Sequence, residues 1–323
     1  MNWITRWKKI GIKVKQIFKK RPSLSEQEVD WKSCPLCKKL SYIPDLIKNS
    51  YICECSFHFD LPPKIRLDNL LNTGYEIIDA PENINPDPLN FEVQNTEKSY
   101  KYIDKIKKYR KVTGQETALI CAHGNISNLS AVVVCFNPKF GGGRFGPAEN
   151  EHFIKAANFA IEKKVDVWVV IYQSSGIDVH TGVTGLAGMT KSIIAMNEIK
   201  KNNIPTFSIA ARAVAGGTYA SSFFQHEFII IESKCVENLL FSGKRVTANI
   251  LKSADSIPES FGRADGVMHA GLADLTLESR KELKDTIIKL SNIILNKNKL
   301  QTQNVEEANE NPEDSKKIAS TTS

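Results

Sequence analysis

Val165–Gly217 reads VDVWVVIYQSSGIDVHTGVTGLAGMTKSIIAMNEIKKNNIPTFSIAARAVAGG. It opens on a short apolar run rich in β-branched residues, Val165–Tyr172, the signature of a strand. The turn Ser174-Ser175-Gly176 follows, then a helical pattern over about 182–201. A second strand pattern, Thr206–Ala210, runs into a second glycine turn, Ala215-Gly216-Gly217. Alternation of this kind predicts an α/β domain with helices packed on sheets.

The pattern extends in both directions. Upstream, Ala118–Cys121 and Ala131–Phe136 read as strands and about 149–163 as a helix; downstream, about 217–225 reads as a helix, Phe228–Ile231 as a strand and about 278–295 as a C-terminal helix. Further glycine turns stand at Gly141-Gly142-Gly143 with Gly146, and at Phe241-Ser242-Gly243. A glycine at a helix start lets a ligand approach the backbone and aims free N–H groups at it. Two such donors suit the enolate oxygen of a thioester, although each turn taken alone is better explained as a tight connection. His123, His152, His180, His226 and His269 are scattered, and no nucleophile–histidine–acid set or carboxylate pair is visible.

The bulk properties set limits. A chain of 323 residues with 41% hydrophobic and 24% charged residues is an ordinary globular composition, long enough for one large domain and a small appended module. No apolar run reaches the ~20 residues of a membrane span. The first residues lack the pattern of a secretory signal, and a cytoplasmic location is expected. The net charge of +7 is uneven: Arg6, Lys8, Lys9, Lys13, Lys15, Lys19, Lys20 and Arg21 are interleaved with Trp3, Trp7, Ile10, Val14, Ile17 and Phe18. A basic amphipathic helix of this kind suits nucleic acid, acidic lipid or an acidic partner, or docks on its own protein, and these readings stay open. Four stretches result: a basic arm at 1–30, a cysteine module at 31–60, the α/β domain at 61–295, and a polar tail at 296–323 expected to be disordered.

Four of the seven cysteines lie within positions 34–55. Cys34-Pro35-Leu36-Cys37 is a CxxC knuckle and Cys53-Glu54-Cys55 a CxC one, the arrangement of a structural zinc ribbon with one metal per chain. Cys34, Cys37, Cys53 and Cys55 are the expected ligands, with His58 as a substitute for the fourth. The CxC spacing strains the usual knuckle. Clustering of this sort speaks for a metal site in a reducing compartment rather than a disulfide framework.

Taken together and in order, these motifs resemble the β-type carboxyltransferase subunit of bacterial and plastid acetyl-CoA carboxylase. The start Met1-Asn2-Trp3-Ile4, the ribbon, and the segment from Arg66-Leu67 through Leu70-Leu71 to Gly74 are similar to that family's opening, cysteine module and RL..LLD.G stretch. Tyr102 to Gly114 resembles its YKDRL…TG, Phe140–Gly146 (FGGGRFG) its FMGGSMG, and Ala215-Gly216-Gly217 its MGG turn. Phe241–Val246 resembles its FAGPRVI, and Gly271 with Asp274 its HGAID. The family's SGGARMQE turn reads SSGIDVHT at Ser174–Thr181, so Ser175 stands for a glycine and Asp178 for an arginine. Arg144 stands for a serine and Lys244 for a proline.

The resemblance implies a crotonase-like (ClpP/crotonase) ββα superhelix behind an N-terminal zinc ribbon. It implies carboxyl transfer from carboxybiotin, carried on a biotin carboxyl carrier protein, to acetyl-CoA. A separate biotin carboxylase and a carboxyltransferase α subunit, in an α2β2 heterotetramer, are the implied partners. The backbone amides of Ser175, Gly176, Gly216 and Gly217 are the expected oxyanion donors, and Lys244 and Arg245 the expected contacts for CoA phosphates. A related acyl-CoA or acyl-carrier carboxyltransferase, a malonate-decarboxylase-type subunit, and a degenerate paralogue with an assembly or nucleic-acid role are the alternatives.

Overall fold

The computed structural model describes residues 31–93, 99–252 and 256–310, with 244, 245 and 297–310 described by their backbone alone. The basic arm, and the readings attached to it, lie outside the described residues. The chain divides into two compact units between Phe57 and His58.

The first unit is small. Strands β1 (Trp31–Ser33) and β2 (Leu40–Tyr42) pair antiparallel, and helix α1 (Ile43–Lys48) follows with proline in its first turn. Cys34, Leu46, Ile52 and Cys53 are its buried residues, too few for a self-sufficient core.

The second unit begins with helix α2 (Pro63–Leu70) and edge strand β3 (Glu76–Ile78). Short strands β4 (Glu92–Val93) and β5 (Tyr100–Lys101) precede helix α3 (Tyr102–Thr113), which Gly114 ends in a left-handed cap donating to the Arg110 carbonyl. The hairpin β6 (Leu119–Ile126) and β7 (Leu129–Phe136) leads through β8 (Arg144–Phe145) to helix α4 (Pro147–Glu162). Then come β9 (Val167–Ser174), β10 (Gly176–Ile177), helix α5 (Gly182–Lys201), β11 (Thr206–Ala215) and the short helix α6 (Gly216–Ala220). The remainder is β12 (Phe228–Ile231), β13 (Leu239–Leu240), α7 (Lys244–Leu251), α8 (Ala264–His269), β14 (Leu275–Thr276) and α9 (Leu283–Glu310).

The main sheet has eight strands in the order β14-β12-β11-β9-β7-β6-β3, with β13 also on β11. β3, β6 and β7 pair antiparallel; from β7 to β14 every pairing is parallel. Side chains alternate between faces along a strand, and here both faces are apolar. Val132, Val134, Trp168, Val170 and Tyr172 meet Phe153, Ala157 and Met196 of α4 and α5, while Ala131, Val133, Val169 and Ile171 meet Leu67 and Ile287 of α2 and α9. That double burial is why the central strands read as continuous apolar runs.

Helix α9 runs on to Glu310, into the stretch expected to be disordered. Residues 296–310 contain neither glycine nor proline, so a helix that starts on packed Leu283 and Ile287 has no local reason to stop before Pro312. Residues 311–323 lie outside the described residues.

Candidate active site and metal centre

The four ribbon cysteines bring their Sγ atoms within 4.8 Å of one another. The Cys34–Cys55 and Cys37–Cys53 sulfur pairs lie at 3.6 and 3.7 Å. A tetrahedral ion with metal–sulfur bonds of ~2.3 Å sets its ligands about 3.8 Å apart, so this donor set fits a closed structural metal site. The CxC knuckle is accommodated by backbone geometry. Ser56 takes φ +64° and its N–H donates to the Cys53 carbonyl, while the Cys53 N–H donates to Phe57. His58 belongs to the second unit, among Arg66, Glu232 and Arg280; burial and then Arg280 push its imidazole down to about 4.

In the second unit, β9 and β11 are parallel neighbours, and after a bulge their last paired residues are Ser174 and Val214. The two glycine turns therefore leave the same end of the sheet side by side, the usual place for ligands in such sheets. Gly176 adopts φ +112°, and a Cβ there would stand 2.9 Å from the Ala215 carbonyl oxygen and 3.3 Å from Gly216 Cα. Gly216 adopts φ +58° and turns the chain into α6. The Ser174 and Thr218 hydroxyls meet at 3.1 Å and bind one turn to the other.

The amides of the two turns differ. The Ser175 N–H donates to the Gly142 carbonyl at 2.9 Å and the Gly176 N–H to Ser174 Oγ at 3.1 Å, so both are engaged inside the chain. Gly217 is the second residue of α6, where the helix itself supplies no acceptor for the N–H. Of the four amides expected as oxyanion donors, those of Ser175 and Gly176 are thus already engaged by Gly142 and Ser174. A Cβ on Gly217 would come 2.3 Å from Ile177 Cγ1 and 2.9 Å from Met189 Sδ, so the second turn rests directly on the residue that follows the first.

The FGGGRFG loop supports this arrangement. Gly141, Gly142 and Gly143 all have positive φ, and a Cβ on Gly143 would lie 1.9 Å from the Gln173 carbonyl oxygen. β8 then pairs parallel with β10, Arg144 opposite Gly176. The Arg144 side chain is 4% exposed and reaches Asp178 Oδ2 at 3.0 Å, Tyr102 Oη at 2.6 Å and Glu149 Oε2 at 3.2 Å. Gly146 makes the space, since a Cβ there would stand 2.2 Å from an Arg144 guanidinium nitrogen. Burial opposes the Arg144 charge, but Glu149 and Asp178 outweigh it and hold the guanidinium more firmly protonated. Burial also raises the Tyr102 phenol, against the pull of Arg144.

Asp178 is 3% exposed and fully engaged. Its Oδ2 also accepts from the Tyr102 hydroxyl at 2.5 Å, and its Oδ1 from the His180 N–H at 3.1 Å and Nδ1 at 2.9 Å. His180 stacks on Tyr102 with ring centroids 4.1 Å apart. Sequence reading singled out Arg144 and Asp178 as separate departures from a family pattern. Only the register of β8 on β10 reveals them as partners. Lys244 and Arg245 open α7, and their side chains lie outside the described residues.

Comparison with known proteins follows the same line. A carboxyl transferase domain is matched over residues 93–322, which places the chain in a class of carboxyl-transferring proteins. The acetyl-coenzyme A carboxylase carboxyl transferase subunit beta of Pelagibacter ubique is 33% identical over 301 residues, covering 92% of this chain and 93% of the relative. The subunit of the same name from Sulfurihydrogenibium sp. is 32% identical over 280 residues, covering 86% and 95%. The chain belongs to the family of acetyl-coenzyme A carboxylase carboxyl transferase β subunits. Among solved structures, transcarboxylase 12S superposes with a TM-score of 0.55 at 18% identity, over 72% of this chain and 41% of the other. The Pseudomonas malonate decarboxylase MdcD–MdcE hetero-dimer superposes with a TM-score of 0.53 at 15% identity, over 76% and 89%. These likenesses establish the shared crotonase-like fold.

Proposed function

We propose that this chain is the β subunit of a carboxyltransferase that moves a carboxyl group from carboxybiotin to acetyl-CoA, forming malonyl-CoA together with an α-type subunit. The observation that carries the reading is the pair of glycine turns packed against each other at the carboxyl ends of β9 and β11, with the Gly217 N–H in the first turn of α6. A preorganised amide aimed at a thioester oxygen stabilises the charge that develops there when a proton leaves the neighbouring carbon. Carboxybiotin, brought on a separate carrier protein, supplies the carboxyl group and, once that has left, the base for the methyl proton. The chain's own work is to hold the acyl group at Gly217 and orient it. No proton transfer is assigned to His180. Lys244 and Arg245 are the proposed contacts for CoA phosphates.

The test is malonyl-CoA-dependent carboxylation of free biotin, run with and without the α-type partner from the same genome. Turnover is expected only in the reconstituted pair. Gly217→Ala should lower it by about 10²–10³, comparable to losing one oxyanion donor. A folded, assembled pair inactive with both acetyl- and malonyl-CoA would leave an assembly role in place of the enzymatic one.

We further propose that the ribbon metal is zinc, with Cys34, Cys37, Cys53 and Cys55 as a closed shell that leaves no place for substrate. Metal analysis should give about one zinc per chain, and Cys34→Ser should lower it and expose 31–57 to protease. Protease-resistant ribbon free of metal would refute this assignment.

A further inference from the structure

We propose that Arg144 and Asp178 are a positioning pair for the Gly217 amide, acting through Ile177. This deepens the carboxyl-transfer reading and rests on it. Arg144 is paired through its backbone with Gly176 and through its side chain with Asp178, so it grips the first glycine turn on both sides of Ile177. Ile177 in turn lies under Gly217 so closely that a Cβ on Gly217 would meet its Cγ1 at 2.3 Å. On the other flank, Gly176 is packed to within 3.5 Å of Gly216 measured from the same ideal Cβ construction. A shift of the 176–178 segment is therefore passed directly to the second turn. The pair controls where the Gly217 N–H points.

Two features show that the segment is held rather than merely filled in. Asp178 accepts from four groups, the Arg144 guanidinium, the Tyr102 hydroxyl, the His180 N–H and His180 Nδ1, which fixes its carboxylate in plane and direction. The loop that carries Arg144 is shaped around it, with a left-handed run at Gly141–Gly143 and the vacant side of Gly146 against the guanidinium. The groups that face Arg144 come from α3, α4 and the turn after β10, namely the Tyr102 hydroxyl and the Glu149 and Asp178 carboxylates. Because Glu149 balances Arg144 by itself, Asp178→Asn leaves no uncompensated buried charge and is the variant best able to fold.

The experiment measures carboxyl transfer by the pair reconstituted with its α-type subunit, and amide hydrogen exchange across 174–178 in the same samples. Asp178→Asn should lower kcat by about 10- to 100-fold with KM for the acyl-CoA within about threefold, the mark of misplacement rather than lost binding. Arg144→Gln should do the same, and the double variant should be no worse than the poorer single one, since the two act as a unit. Exchange at Ser175 and Gly176 should quicken in each. If Asp178→Asn fails to fold, Tyr102→Phe removes one donor to Asp178 while keeping the ring on His180, and should show the same pattern at about threefold to tenfold. Folded variants with wild-type kcat and unchanged exchange, or with raised KM alone, would overturn the proposal. A wild-type pair without any turnover defeats the carboxyl-transfer reading instead, and exchange at 174–178 then decides the positioning role by itself.

Discussion

Two groups of buried charges in the second unit invert each other. At the glycine turns one arginine, Arg144, stands between two carboxylates, Glu149 and Asp178. On the opposite face of the sheet one carboxylate, Glu232, stands between two arginines: Arg66 of α2 at 2.8 Å and Arg280, just before α9, at 2.6 Å. All three side chains of the second group are at most 4% exposed. The difference lies in what else holds the charges. Glu149 also receives the Gly146 and Ala118 N–H groups at 3.0 and 3.1 Å, and Asp178 its tyrosine and histidine donors. In the arginine-rich group both guanidinium groups share one contacting carboxylate, and they can neither accept a hydrogen bond nor shed their proton at neutral pH. One cluster is redundant and the other has a keystone.

The largest effect should come from that keystone. Glu232→Gln removes the carboxylate that both buried guanidinium groups share and should cost about 3–5 kcal/mol, read from urea unfolding. A loss below about 1 kcal/mol would mean that water reaches the arginines, and the contrast would collapse. Arg144→Gln should cost less, about 1–3 kcal/mol, since both carboxylates retain donors. If it matched Glu232→Gln, the redundancy would be illusory.

The smallest effect is a slope with pH. His58 lies beside the arginine-rich group, and burial followed by Arg280 lowers its imidazole to about 4 in the folded chain, against ~6.5 when unfolded. Above about pH 6.5 the ring is neutral in both states and its contribution is complete. As pH falls the unfolded chain binds the proton first, so stability is lost progressively between about 6.5 and 4. His58→Gln should flatten the unfolding free energy across that window, and an unaltered slope would remove His58 from the account.

The same contrast explains what the sequence made legible. The central strands were readable because burial on both faces leaves uninterrupted β-branched runs such as Val167–Tyr172, and α5 because its helical pattern is long. Helix α2 was not recognised as an element because its buried side carries Arg66 beside Leu67 and Leu70, which reads as polar until Glu232 is placed opposite. The ribbon cysteines were legible because ligand spacing is local. The state of the turn amides was not legible: a glycine turn marks where a donor can point, but whether Gly142 or Ser174 already holds that donor is decided in three dimensions. The Arg144–Asp178 pair joins positions far apart in sequence, and no periodicity encodes it.

The sheet ends in β3, three residues long, on one side and β14, two residues long, on the other. Edges so short offer a visiting chain almost no ladder to continue, and they guard an otherwise long, apolar sheet against edge-to-edge aggregation. Exposed apolar side chains lie instead on helices and loops: Val179 just before α5, Val183 and Leu186 within it, and Ile250 and Leu251 on α7. Substitution can retune such side chains while the backbone of the sheet stays fixed.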